Sequence, residues 1–281
     1  MSDTTLNSSE RARYLGLALP AVLLMAAFFV VPLLLVLWLS VSEPQLGLDN
    51  YREILTNPLI GRIWLTTLRV CVVTTVISVG LGYVVAYAMT VVGPRQRMAM
   101  IFCILATFSF SVLVRAFAFI VLLRTEGLLN ELLLTLGVID RPLRLLRNEI
   151  GVVIGMVHYG LPVAILALYS NLRGMNRNLM DAARGLGASG LQAFLLVYAP
   201  LTVPGILAAS VLVFIYSLGF FIIPALLGGG LVVMIAEYIR VSFEETLRWG
   251  YATMLATTLV VVVFVLLAAM SRLVDLKKAF G

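Results

Sequence analysis

Charge is scarce in this chain. Of its 281 residues, 12% are charged, about half the ~25% of a soluble globular domain. Hydrophobic residues make up 62% and the mean hydropathy is +1.07. Such a chain cannot cover its surface as a water-soluble monomer, so it reads as integral to a membrane, with lipid as its surroundings. Cysteine is also scarce. Cys71 and Cys103, the two present, lie inside apolar runs without disulfide-framework or metal-ligand spacing. Both are expected to be small apolar packing residues. No G-x-x-x-x-G-K-[ST] occurs, so the chain does not bind ATP through a P-loop. HExxH, CxxC and GxSxG are absent too, and no nucleophile, base and orienter fall together. The expectation is therefore no catalytic residue, no metal and no enzyme. The two halves of the sequence show no internal repeat.

Long apolar runs are abundant. Six can cross the ~30 Å hydrocarbon layer, at 15–41, 65–92, 99–123, 150–172, 197–227 and 251–270. The expected fold class is therefore all-α integral membrane, with six transmembrane helices in one domain over 15–271. Short polar tails at 1–14 and 272–281 flank it. The first run is too long for the apolar core of a signal peptide, so it is a retained span. Pro20 and Pro32 lie inside it, tolerable where neighbouring helices satisfy the freed carbonyls. Asp49-Asn50-Tyr51 is expected to N-cap a short helix. Residues 127–134 read as a small amphipathic interfacial helix, and Gly228-Gly229-Gly230 as a break after span five.

The net charge of +6 fits basic cytoplasmic loops better than nucleic-acid binding. The shortest loop, 93–98, holds Arg95 and Arg97 and no acid. Basic residues in short loops set orientation, which puts both termini and the segment from Asp181 in the cytoplasm.

The stretch 181–200 is polar and rich in small residues between two apolar spans. It reads Asp181-Ala182-Ala183-Arg184-Gly185-Leu186-Gly187-Ala188-Ser189-Gly190, then runs into Val197-Tyr198-Ala199-Pro200. Ala182 and Ala183 favour helix, and the glycines after them break it. A short helix, a tight turn and the start of the next helix follow from that order. The alternative reading is an ordinary connecting loop.

This stretch resembles the cytoplasmic loop signature of ABC importer permeases, E-A-A-x3-G-x9-I-x-L-P. Asp181, Ala182 and Ala183 stand at the first three positions, Gly187 at the glycine, and Val197, Ala199 and Pro200 at the close. Asp181, Val197 and Ala199 depart from the pattern conservatively. The segment order is similar to the spermidine/putrescine-type permeases over roughly 15–270. Gly82-Tyr83, Ala86-Tyr87, Leu113-Val114-Arg115, Gly127-Leu128-Leu129-Asn130 and Pro224-Ala225-Leu226-Leu227-Gly228-Gly229 carry that likeness. Thr107-Phe108-Ser109-Phe110-Ser111 departs from it, as does Gly230.

The resemblance implies a permease subunit in the inner membrane, importing a polyamine or a related amine or amino-acid-like solute. It implies a second homologous permease, two copies of a cytoplasmic ATPase and a solute-binding protein. ATP and Mg would be bound by the ATPase, and this chain would hold no cofactor. A coupling loop over about 173–196 would meet the ATPase through Asp181, Ala182, Ala183, Arg184, Gly187 and Pro200, as a helix in a groove. The reading from another class is a self-sufficient ion-coupled secondary transporter, which usually carries inverted repeats and mid-membrane polar residues.

Candidate pathway residues follow from chemistry. Arg115 is a charge in an apolar run, costly and often functional, unless it snorkels. His158 and Tyr159 are adjacent in span four. Tyr83 and Tyr87, and again Tyr216 and Phe220, are spaced to share a helix face. They either line a path for an amine by cation–π contact or pack the core. Glu237 either meets a cationic solute or pairs with Arg240 at i,i+3.

Overall fold

The structure, a computed structural model, describes residues 8–176 and 178–273. The tail expectations for 1–7 and 274–281 lie outside them. Every regular element among the described residues is helical. α1 (Ser8–Met25) passes through a π-turn at Ala26–Val30 into α2 (Val31–Ser42), and together they form the first span. α3 (Asp49–Thr56) is short, and α4 (Pro58–Val91) is the longest helix. α5 (Pro94–Ser109), α6 (Val112–Leu123) and α7 (Leu128–Thr135) follow, then α8 (Glu149–Arg173). α9 (Asn178–Gly185) is the short helix expected after span four. α10 (Gly190–Ala193) runs through a second π-turn, Phe194–Tyr198, into α11 (Ala199–Leu218). A third π-turn, Pro224–Gly228, precedes α12 (Ile235–Glu244) and α13 (Trp249–Leu273).

Prolines explain two of the π-turns. Val31 N–H bonds Ala26 O, and Ala199 N–H bonds Phe194 O, five residues back in each case. Pro32 and Pro200 come next. A proline ring clashes with the carbonyl four residues earlier, and one widened turn gives it room. The helices therefore pass their prolines without breaking.

α4, α8 and α11 make the central layer. α4 and α8 lie side by side where Gly82 faces Ala164, so close that a Cβ on Gly82 would stand 3.0 Å from the Ala164 Cβ. Small residues of this kind let membrane helices approach closely. Val79, Ala86, Met89, Ile165 and Leu168 fill the core toward the α9 end, and Val70, Val152, Met156, Ile223 and Leu227 toward the other. α13 packs on α2 and α12. Ile60, Ile63, Ile235, Met254 and Leu255 form a further core at the end opposite α9.

Among the described residues, five helical segments are long and apolar enough to cross a membrane: Gly16–Ser42, Pro58–Val91, Glu149–Arg173, Gly190–Leu218 and Trp249–Ala269. The third apolar run is not one straight helix. Pro94–Ser109 and Val112–Thr135 meet at 96°. Phe110 (φ −85°, ψ 136°) and Ser111 (φ −55°, ψ 141°) leave helical geometry between them. This is the Thr-Phe-Ser-Phe-Ser stretch, where hydroxyls compete with the backbone and aromatics disfavour helix. Counted as one broken span, the pair brings the number to six.

Other details differ from the sequence reading. Span five starts earlier, at Gly190, and stops at Leu218, with Pro224–Gly228 as a separate turn. The connection between the helices Glu149–Arg173 and Gly190–Leu218 accordingly covers 174–189. α3 begins at Asp49 without a side-chain cap, because Leu48, with no side-chain acceptor, holds the N-cap position; the Asn50 amide donates to Glu43 O at 2.7 Å. Cys71 is buried as expected, but Cys103, in α5, is exposed.

Candidate functional site

The candidate coupling segment is built from two helix ends placed back to back. α9 buries none of its residues. Gly187 adopts φ +93°, a backbone state that glycine reaches without a Cβ penalty. Ala188 N–H bonds Ala183 O at 3.1 Å and Gly187 N–H bonds Arg184 O at 2.9 Å. That pair of bonds is a Schellman stop. Two residues after Gly187, Ser189 starts the next helix. The Ser189 hydroxyl accepts from Gln192 N at 3.3 Å, and Gln192 Oε1 accepts from Ser189 N at 2.9 Å, a complete capping box. One residue, Ala188, separates the two devices, so α9 is joined to α10 and α11 with little slack. Asp181 and Arg184 approach at 3.9 Å on the exposed face, a pair that adds little stability and leaves both side chains available.

A ring cluster fixes this segment to α4. Tyr87 packs edge-on against Phe194 and Tyr198, with centroids 5.3 and 5.5 Å away. Phe194 stacks on Tyr198 at 5.8 Å and meets Tyr83 at 6.5 Å. The Tyr83 and Thr202 hydroxyls hydrogen-bond at 3.1 Å. Pro200 lies in the first turn of α11. The structure thus places Tyr83 and Tyr87 beside the coupling segment, apart from the other pathway candidates.

Those others converge. The Arg115 guanidinium carbon lies 4.0 Å over the Tyr159 ring, a cation–π contact. Tyr159 OH donates to Val112 O at 2.9 Å, tying α8 to the first turn of α6. The Tyr159 ring lies 4.9 Å from Phe220, which is 5.4 Å from Tyr216. His158 packs against Phe119 at 5.0 Å. Arg115 and His158 both line a pocket of about 520 Å³ at the elbow between α5 and α6, with Thr107, Phe110 and Cys103. Five candidates drawn from three apolar runs therefore form one cluster at mid-bundle.

Glu237 is in α12, at the end of the bundle opposite α9. It does not pair with Arg240. Arg240 instead bonds Glu244 and Glu245, each at 2.9 Å, two acids whose side chains stay exposed, while Glu237 is buried. Glu237 is 6% exposed, and its Oε2 has no hydrogen-bond partner. Burial pushes its carboxyl up to about 7, against smaller opposing effects of the Met234 backbone bond and the Arg240 charge.

The sequence reading missed several contributors. Phe194, Tyr198 and Thr202 complete the ring cluster, and their signal was an i,i+4 aromatic pair matching Tyr83 and Tyr87. Thr67 Oγ1 accepts from Ile235 N at 2.9 Å, holding α12 to α4. Arg69, well inside α4, and Glu149, at the start of α8, form an ion pair between two spans. No local pattern marks either of these last two, which are 168 and 80 residues apart.

Comparison with known proteins follows the same lines. The family model described as "Binding-protein-dependent transport system inner membrane component" matches residues 78–277. The spermidine/putrescine transport system permease protein PotB of Escherichia coli (strain K12) is 35% identical over 220 residues, covering 78% of this chain and 80% of that protein. The PotB of Haemophilus influenzae is 33% identical over 248 residues, with 85% and 86% covered. A solved bacterial ABC transporter involved in the import of the acidic polysaccharide alginate has a similar chain fold. Its TM-score is 0.71 at 16% identity, over 92% of this chain and 94% of that one. A structure of bacterial alginate ABC transporter with its pentasaccharide-bound periplasmic protein gives 0.73, over 92% of each chain. The ion-coupled transporter reading is set aside on these matches, and the chain belongs to the binding-protein-dependent transport system inner membrane components, the permease subunits of ABC importers.

Proposed function

We propose that this permease forms half of the pathway of an ATP-driven importer and is driven through α9. The cargo is a polyamine such as spermidine or putrescine, or a related amine or amino-acid-like solute. A second homologous permease, two cytoplasmic ATPase subunits and a solute-binding protein complete the assembly. Both termini and α9 face the cytoplasm. ATP and Mg belong to the ATPase.

The observation that carries the proposal is the near-absence of slack between the Schellman stop at Gly187 and the capping box at Ser189. A short exposed helix, held rigidly to a span, transmits a push from a groove that grips it. The ring cluster of Tyr83, Tyr87, Phe194 and Tyr198 carries the same push to α4. ATPase closure then rocks these spans and shifts the balance between inward-open and outward-open states. The similarity to PotB supports the amine cargo, and the rings of Tyr159, Tyr216 and Phe220 offer faces that suit cationic amines.

The test is Gly187→Trp in the assembled transporter. The expected result is loss of ATP-dependent uptake with normal insertion and normal subunit assembly. Uptake at the wild-type rate would overturn the lever reading.

A further inference from the structure

At the end of the bundle opposite α9, the segment between α6 and α8 folds into a small platform. Its keystone is Asn130, 1% exposed. The Asn130 amide nitrogen donates to Arg124 O at 3.1 Å and to Leu143 O at 2.9 Å, and its oxygen accepts from Leu143 N at 2.8 Å. One side chain thus pins both ends of the excursion, and the connection is shaped rather than loose.

Three arginines emerge from this platform around one pocket. Arg124, Arg144 and Arg147 line a space of about 630 Å³ with Thr125 and a single acid, Glu126. All three arginines are exposed. Among the described residues, none of them forms an ion pair. Elsewhere on this end Arg69 takes Glu149, Arg240 takes Glu244 and Glu245, and Arg248 takes Glu53. Converging guanidinium groups without partners are a ready receptor for carboxylates, which they engage bidentately.

Arg147 is also held mechanically. Its φ is +58°, uncommon for a residue with a side chain. Its N–H donates to Leu227 O at 2.8 Å. Its side-chain stem lies against Gly229, where an added Cβ would stand 2.8 Å from Arg147 Cγ. Arg147 is therefore in contact with the Pro224–Gly228 turn and the glycines after it, which follow the span carrying Tyr216.

Resting on the importer reading, we infer that the Arg124–Arg144–Arg147 pocket is a docking site for surface carboxylates of the solute-binding protein, and that Arg147 passes docking to the Pro224–Gly230 turn. Charge complementarity identifies the occupant's chemistry. A water-soluble protein that approaches this face reversibly gains both steering and register from such a pocket. The related alginate transporter has been solved with its periplasmic protein.

The experiment uses the whole transporter, reconstituted in neutral-lipid nanodiscs, and the solute-binding protein that co-purifies with it. Affinity is measured from low to high salt for wild type and for Arg124→Gln/Arg144→Gln/Arg147→Gln. The expected result is binding weakened tenfold or more at low salt, a flatter salt dependence, and unchanged subunit assembly and basal ATP hydrolysis. Arg144→Glu is expected to be rescued by an acid-to-Arg reversal on the binding protein. Equal affinity and equal salt slope in the triple variant overturn the inference and leave the importer reading intact. A triple variant that binds normally, and differs only in nanodiscs with anionic lipid, overturns it in favour of a headgroup site. ATP-driven uptake by a wild-type transporter that engages no binding protein overturns this inference and the proposed function together.

Discussion

Glu237 shows what one side chain does in this fold. A buried carboxyl with an unpartnered oxygen is better tolerated protonated than charged. Its carboxyl is pushed up from 4.5 to about 7, so its contribution to stability is full below about pH 4.5 and is lost as pH rises through about 7. Arg240 and Glu245, its charged neighbours, act in opposite directions and more weakly. Glu237→Gln should therefore raise the unfolding temperature at pH 8.5, by a stability increment on the order of 3 kcal/mol, and change it little at pH 5. Thermal unfolding of the purified transporter at both pH values checks this, and a Glu237→Gln variant less stable than wild type at pH 8.5 would contradict it. Tyr159 is a second residue with a defined task. Tyr159→Phe keeps the ring under Arg115 and removes the bond to Val112 O, a loss of about 1 kcal/mol. Faster hydrogen exchange in the first turn of α6, with α8 unchanged, is the expected signature.

At the scale of elements, the segment from α9 to α10 is the most legible part of the chain. Glycine spacing and the alanines before it fix a short helix, a turn and a new helix, because each of those residues acts locally. The capping box at Ser189 and Gln192 was equally local and extends the same logic. Span three was not legible in the same way. Its apolar composition satisfies the length rule for a span, yet the run breaks at Phe110, where no proline or glycine gives warning. The pairing of Glu237 with Arg240 also failed, because competing acids at Glu244 and Glu245 offer better geometry on the same helix. Ser189→Ala tests the cap directly. It should cost about 1 kcal/mol locally, loosen the junction between α9 and α10, and lower uptake per ATP hydrolysed. Unchanged coupling in that variant would show that the junction is not the lever.

The whole molecule is incomplete as a monomer. The most apolar stretch of the first span has no buried residue within the chain, and Phe28, Phe29, Phe102, Phe117 and Leu196 are all exposed. Lipid covers part of such a surface. A homologous permease covers another part in the proposed assembly, since the single chain has no repeat with which to enclose a pathway. The molecule is arranged by ends: α9, the proposed lever, and its ring cluster at one end, the Arg115–Tyr159–Phe220 cluster in the middle, and the Asn130 platform at the other. Sequence alone marked Tyr83, Tyr87, Arg115, Tyr159, Tyr216 and Phe220 but did not sort them, because Tyr83 and Tyr87 look like Tyr216 and Phe220 until the helices are packed. Coexpression with the partner permease should raise the unfolding temperature of this chain in mild detergent, and no change on coexpression would argue against a shared interface.

The central claim is that this chain is moved by ATP hydrolysed elsewhere. The most direct measurement is purification of the tagged protein from its native membranes in mild detergent, identification of its companions, and reconstitution of that complex for solute uptake with and without ATP. The account predicts a nucleotide-binding subunit and a second permease in the complex, and uptake only with ATP. A chain recovered alone that transports solute without ATP would contradict it.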